Sequence, residues 1–135
     1  PTAELAKAFD TLLPQLSSSA QMPTAEHIEA MLHNPNTHIF VAEKEGSIMG
    51  MLSLVIVDIP TGRKAWIEDV ITDSEYRGRG IGKALVKRAI EIAKERGADS
   101  VNLTSRPSRE VARALYRKVG FEEVPTTVFR LLLHE

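Results

Sequence analysis

The 135-residue chain contains no cysteine. That excludes a disulfide framework, thiol catalysis, a covalent cysteinyl intermediate and every sulfur-ligated metal site, and it fits a reducing, cytoplasmic setting. Charge of neither sign is in excess. Seventeen Lys and Arg stand against 18 Asp and Glu, a formal net charge of -1, so no overall basic field draws nucleic acid or anionic lipid and any anion site must be local. Long apolar runs are missing too. The longest, Ile48 to Val57, falls short of the roughly 20 residues a membrane helix needs, and its β-branched content suits a buried strand. Residues Pro1 to Leu5 show no basic region followed by an apolar core, so no signal peptide is expected. The histidines His27, His33, His38 and His134 have no metal-ligand spacing and are expected at the surface; no metal is expected. No G-x-S-x-G elbow exists, which leaves a serine nucleophile without support.

What is present is the composition of an ordinary globular protein, 43% hydrophobic and 26% charged. The length suits one domain over residues 1–135. Apolar residues Leu5, Ala8, Phe9, Leu12 and Leu13 recur at helical spacing until Pro14 and Ser17 to Ser19. Pro23 and Thr24 open a second helix that ends at Asn34, Pro35 and Asn36. Ile39 to Glu43, a turn at Glu45-Gly46-Ser47, and Ile48 to Asp58 predict a hairpin. Ala65 to Thr72 predicts a further strand, with Trp66, Glu68, Val70 and Thr72 on one face and Ile67, Asp69 and Ile71 on the other. A helix carrying Ile81, Leu85, Ala89, Ile92 and Ala93 then runs to Gly97. Ser100 to Thr104 reads as a short strand, Arg109 to Val119 as a helix closed by Gly120, and Thr127 to Leu133 as a last strand. The expected fold class is α/β, with a mixed sheet flanked by helices.

Between the third strand and its helix lies Arg77-Gly78-Arg79-Gly80-Ile81-Gly82-Lys83. Alternating glycines let backbone approach a ligand closely, and the helix start offers unpaired N–H groups and the positive end of its dipole. From Tyr76 to Gly97 there are seven basic residues and two acidic ones, so the basic patch is local. A phosphate or pyrophosphate is the natural guest, and a tight turn with solvated arginines is the competing reading. A P-loop would need Ser or Thr where this chain has Ala84, and the dinucleotide fingerprint needs G-x-G-x-x-G where the spacing here is G-x-G-x-G.

The loop resembles the Q/R-x-x-G-x-G/A signature of the GNAT acyltransferase superfamily, with Arg77 first and Gly80 and Gly82 as its glycines. Ile67-Glu68-Asp69-Val70-Ile71-Thr72 is similar to that family's fourth strand, notably the Glu-Asp pair of its spermidine/spermine and glucosamine-phosphate branches. Ala112, Leu115, Tyr116, Gly120 and Phe121 resemble its closing A-x-x-L-Y-x-x-x-G-F motif. The resemblance spans about Ile39 to the end. It implies a GNAT-like, mostly antiparallel sheet and acetyl-CoA as cosubstrate. The pyrophosphate would lie on the amides of Gly78, Arg79, Gly80, Ile81, Gly82 and Lys83, with Arg77 beside them, and the pantetheine would pair with Val70, Ile71 and Thr72. Members usually begin with a strand ahead of the first helix, so a first strand is expected to be absent here, trimmed or supplied by a partner.

An amine of pKa about 10.4 is unprotonated in only about one molecule in a thousand near neutral pH, so transfer to it needs a base or a water path. Glu68 is the first candidate, because related enzymes carry an acid there; Asp69 faces the other way unless a bulge re-aims it, and either acid could instead serve an ion pair. Tyr116 suits an acid toward the leaving thiolate, or else a half-buried aromatic. Tyr76 is expected to pack, and Trp66 to line core or pocket. Many members of the family carry Asn at the position of Arg109. That arginine can face cofactor, substrate or water, and Ser108 is a plausible N-cap. The reading is an acetyl-CoA-dependent N-acetyltransferase using a small-molecule or peptide amine, with no nucleic acid, no membrane and a homodimer allowed. The acidic residues Glu4, Asp10, Glu26 and Glu29 favour a cationic acceptor or form a solvated face. A non-catalytic acyl-CoA-binding module and a structural subunit with an empty loop are the rivals.

Overall fold

A computed structural model describes residues 2–16, 21–105 and 109–133. The expectations for Ser17 to Ser19, Arg106, Pro107, Ser108 and His134 lie outside these. The chain forms two compact units, Pro1–Thr104 and Ser105–Glu135, each described by itself.

In the first unit, α1 (Thr2–Leu16) and α2 (Ala25–His33) precede the strands β1 (Thr37–Lys44), β2 (Ser47–Ile59) and β3 (Gly62–Thr72). A 3-10 turn (Ser74–Tyr76), α3 (Ile81–Glu95) and β4 (Ser100–Asn102) follow. Local chemistry accounts for most of these boundaries. The Thr24 hydroxyl accepts the His27 N–H at 3.1 Å and caps α2. Glu45 and Gly46, both at positive φ, make the two-residue turn between β1 and β2. Gly97, at φ +76°, lies just past α3, where a left-handed residue ends the helix.

The sheet runs β1-β2-β3-β4, with β1, β2 and β3 antiparallel and β4 parallel to β3. This is the mixed, mostly antiparallel sheet expected. Alternation along β2 divides its side chains between two helical layers. Met51 joins Phe9, Leu12, Ile28 and Ile71 in a buried cluster beneath α1 and α2. On the other face Leu52, Leu54, Ile56, Ala65 and Ile67 are buried, and Leu85, Val86, Ala89 and Ala93 are the buried residues of α3. Gly50 lies close beneath that layer. A Cβ there would stand 2.7 Å from the carbonyl oxygen of Ile71 and 3.2 Å from the Ile81 side chain.

The C-terminal end of α3 is clasped to the α2–β1 link. Arg96 donates to the carbonyl of Pro35 at 3.2 Å and to His38 Nε2 at 3.1 Å, and His38 stacks on Phe40 with ring centroids 6.5 Å apart. His38 is therefore half-buried, whereas the sequence placed it at the surface; its partner lies 58 residues away. Burial, and then the Arg96 charge, lower its pKa. Arg63 ties the β2–β3 hairpin to the same helix end, pairing with Asp58 and donating to the Arg96 carbonyl at 2.7 Å.

The second unit contains α4 (Glu110–Val119). Arg109 is its N-cap, so the helix begins one residue later than expected, and Gly120 closes it at φ +117°. Phe121 N–H reaches back to the Tyr116 carbonyl at 2.9 Å. The strand expected at Thr127 to Leu133 is not formed: residues 121–132 have no regular secondary structure. Strand-favouring residue types do not supply the neighbouring backbone that makes a strand.

Replacing Gly50 by Ala should lower unfolding free energy by about 1–3 kcal/mol, because its methyl must displace backbone. Leu12→Ala, at a fully buried position, should cost about 2–5 kcal/mol. Urea denaturation of both variants checks this.

Candidate functional site

The site begins where β3 stops behaving as a regular strand. Ser53 pairs with Glu68 and Met51 with Ile71, so Leu52 alone stands opposite both Asp69 and Val70. This is a β-bulge, and Asp69 occupies it at φ +50°. Aspartate tolerates the left-handed region better than most residues, which makes it a workable choice there. The extra residue reverses the alternation beyond it. Glu68 shares the α1/α2 face with Trp66 and Ile71, while Val70 and Thr72 turn to the α3 face. The sequence had Glu68 on one face with Val70 and Thr72; the bulge corrects that.

On its other edge β3 is paired only through Lys64, Ala65 and Trp66, opposite Ser100, Val101 and Asn102. The expected β4 extended to Thr104; it ends two residues sooner. Asn102 donates its side-chain amide to the Ala65 carbonyl at 3.2 Å, at the place where the strands part. From Ile67 to Thr72 no described strand pairs with this edge. Peptide N–H and C=O groups there are available to an amide-bearing guest. Ile71 is buried by its side chain, so it offers that edge backbone alone.

The strand leads directly into the glycine loop. Asp73 N–H donates to the Met49 carbonyl at 2.7 Å, and Ser74 N–H donates to Gln15 Oε1 at 2.9 Å. Gln15, at the end of α1, was missed from sequence because its partner is 59 residues away. Gly78 at φ +82° and Gly80 at φ +77° take backbone conformations that other residues adopt only under strain. Gly80 is the N-cap of α3, with no side-chain cap bond and no acidic residue in the first turn. The first N–H groups of a helix have no intrahelical acceptor, so Ile81, Gly82 and Lys83 present donors at the positive end of the dipole. Arg77, Arg79 and Lys83 are exposed around them. Arg79 lies over the Tyr76 ring, 5.3 Å from its centroid, so Tyr76 orients a loop cation rather than filling core.

An open cavity of about 490 Å³ lies between β1 and the start of α3, lined by Phe40, Met49, Ile81 and Leu85 together with Arg79 and Arg88. It touches the loop from the β1 side and includes neither acid.

Both carboxylates are exposed, yet the protein packed beside each carboxyl group raises its pKa. For Glu68 burial is the larger cause and the neighbouring Asp69 charge the smaller; for Asp69 the cause is burial. A raised pKa makes each a stronger base once ionised. In the second unit Tyr116 is half-buried, meeting Phe121 edge to face with centroids 6.0 Å apart. Burial raises its pKa and the Arg109 charge opposes that rise, so the phenol holds its proton at neutral pH. Arg113 and Arg117 both pair with Glu123, at 3.2 and 3.6 Å. The structure thus joins Glu68, the Val70–Thr72 edge and the loop in one unit, and couples Arg109 to Tyr116 in the other. Among the described residues no group of three His, Asp or Glu could hold a metal, and no helix is long and apolar enough to cross a membrane.

The family model described as the acetyltransferase (GNAT) family matches residues 5–121. The chain belongs to the acetyltransferase (GNAT) family. Human N-acetyltransferase 8 is 30% identical over 133 residues, covering 88% of this chain and 59% of that protein. The chain thus spans about three fifths of the length of the curated relatives it matches. Among solved structures, a Trypanosoma brucei acetyltransferase superposes with a TM-score of 0.81 at 26% identity, covering 98% of this chain and 95% of the other. The glucosamine-6-phosphate N-acetyltransferase of Arabidopsis thaliana does so with a TM-score of 0.80 at 26% identity, covering 97% and 93%. These GNAT relatives share the mixed sheet with flanking helices.

The bulge itself is testable. Asp69→Gly relieves the positive φ and should leave stability equal or higher, whereas Asp69→Val should lose about 1–2 kcal/mol because a β-branched residue resists that conformation. Urea midpoints at constant m-value report both.

Proposed function

We propose that this chain transfers acetyl from acetyl-CoA to a primary amine, directly within a ternary complex. The observation that carries the reading is the continuity of the open β3 edge with the uncapped start of α3. One guest with an amide-bearing arm and a pyrophosphate matches both, and the residues fit acetyl-CoA for that reason. Val70, Ile71 and Thr72 would hold the arm through backbone. The amides from Gly78 to Lys83 would hold the pyrophosphate, with Arg77 and Arg79 adding charge. Arg109 is proposed to help hold the cosubstrate.

Glu68 would take the proton of the incoming ammonium, its raised pKa narrowing the gap to the amine. A bulge N–H is a natural donor to the thioester oxygen as negative charge builds there, since bulged backbone is left out of the ladder. Tyr116 would give a proton to the departing thiolate, and the second proton that the acetylated nitrogen sheds on becoming an amide would restore the phenol. Its raised pKa keeps it protonated but also makes it a weaker acid, so its contribution depends on close placement. The acceptor class fits the relative acting on glucosamine 6-phosphate, and the acids of the N-terminal helices suit a cationic guest.

A panel of amines with acetyl-CoA, read by release of free thiol, tests the reading directly; no acetyl transfer to any amine, with CoA still bound in calorimetry, would refute it. For a productive amine, kcat/KM should rise as Glu68 ionises, with its midpoint above the ordinary glutamate value of about 4.3. Glu68→Gln should remove that limb and lower the rate about 100-fold or more. Tyr116→Phe should lower kcat about 100-fold while calorimetry finds CoA affinity almost unchanged. Unaltered turnover in that variant would assign the acid elsewhere.

A further inference from the structure

Between β3 and the glycine loop stands the short turn Ser74–Tyr76. The amides from Asp73 to Tyr76 hold it in place. Asp73 N–H reaches the Met49 carbonyl of β2 at 2.7 Å, Glu75 N–H reaches Asp73 Oδ1 at 3.1 Å, and Tyr76 N–H reaches the Asp73 carbonyl at 2.8 Å. The first of these bonds ties the turn to the sheet, and the others are internal to it. Ser74 N–H differs: it donates to Gln15 Oε1 at 2.9 Å, so a side chain from the end of α1 enters the turn from outside.

Gln15 is itself oriented for that contact. Its Nε2 donates at 3.1 Å to the Thr11 carbonyl, one turn back along α1, which leaves Oε1 toward Ser74. Only this orientation of the amide gives both of its ends a partner, because the oxygen accepts and the nitrogen donates. α1 is fixed in turn. Phe9 and Leu12 are buried with Met51 and Ile71, and Leu16, the residue after Gln15, packs against the same cluster. At the other end of the turn Arg79 lies over the Tyr76 ring.

We infer that Gln15 is a positioning residue for the cosubstrate: by seating the Ser74 amide it fixes the turn from which the glycine loop and Arg79 are presented to the pyrophosphate. The inference rests on the acetyl-CoA reading above and extends it to a residue that acts through the loop. Gly78 and Gly80 follow the turn at positive φ, and glycine restricts its own backbone least, so the loop depends on the fixed points at its two ends. The start of α3 is one, held by buried Leu85 and Val86. The turn is the other. Loosening it leaves the arriving guest to order the loop on binding, which weakens affinity.

Calorimetric titration of CoA into the intact chain and three variants tests this. Gln15→Met keeps the length and helix preference of the side chain and removes the acceptor. It should raise Kd for CoA, and KM for acetyl-CoA with a productive amine, about 5-fold, with kcat at saturation and helical circular dichroism unchanged. Ser74→Pro supplies the second background. Proline has no N–H to donate, its fixed φ suits the first position of a helical turn, and Asp73 already has the extended ψ of 136° that a residue before proline prefers. In the double variant, Gln15→Met should therefore leave Kd where Ser74→Pro alone sets it. A Gln15→Met chain that binds CoA as tightly as the parent would overturn the inference. So would equal weakening in both backgrounds, which would assign Gln15 to the general stability of α1. A parent chain that takes up no CoA would instead refute the acetyl-CoA reading, and this inference with it.

Discussion

Every backbone N–H and C=O along β3 needs a partner, and β4 supplies partners for only three of its residues. The site follows from that shortage. One edge of β3 is paired with β2 along its length, which anchors the strand; the other is paired at Lys64, Ala65 and Trp66 and then left open. Had β4 continued, the sheet would have consumed the groups assigned above to the proposed cosubstrate arm. The Asn102 amide on the Ala65 carbonyl marks the limit of the pairing.

The bulge acts on the same strand for a different purpose. By inserting one residue it separates the direction of Glu68 from that of Val70 and Thr72, so a carboxylate faces the α1/α2 side while the strand beyond turns toward α3. The base and the cosubstrate arm proposed above would therefore be served by residues on either side of Asp69 without competing for one face. The glycine loop follows immediately, and its positive-φ residues bring the chain round to present the start of α3.

Those parts of the structure that depend on near neighbours were legible in the sequence. Thr24 as a cap, the Glu45-Gly46 turn, Gly97 and Gly120 as helix ends, and the glycine loop all rest on contacts within a few residues. The faces of β3 were misread because a bulge is a count of two residues against one, and the count belongs to the pairing with β2. His38 and Gln15 were misread or missed because Arg96 and Ser74 are 58 and 59 residues away. Thr127 to Leu133 has the pattern of a strand without a neighbour in its unit. The pattern of a single chain carries no information about what stands beside it.

The clasp at the far end of α3 bears on binding in kinetic terms. Arg96 and Arg63 hold the C-terminal end of the helix to the α2–β1 link and to the β2–β3 hairpin, while Leu85, Val86, Ala89 and Ala93 seat its length in the core. A helix secured in this way presents its N-terminus at a constant position. For the cosubstrate proposed above, such a helix would be a prepared socket, its capture governed by encounter and charge rather than by rearrangement of the helix.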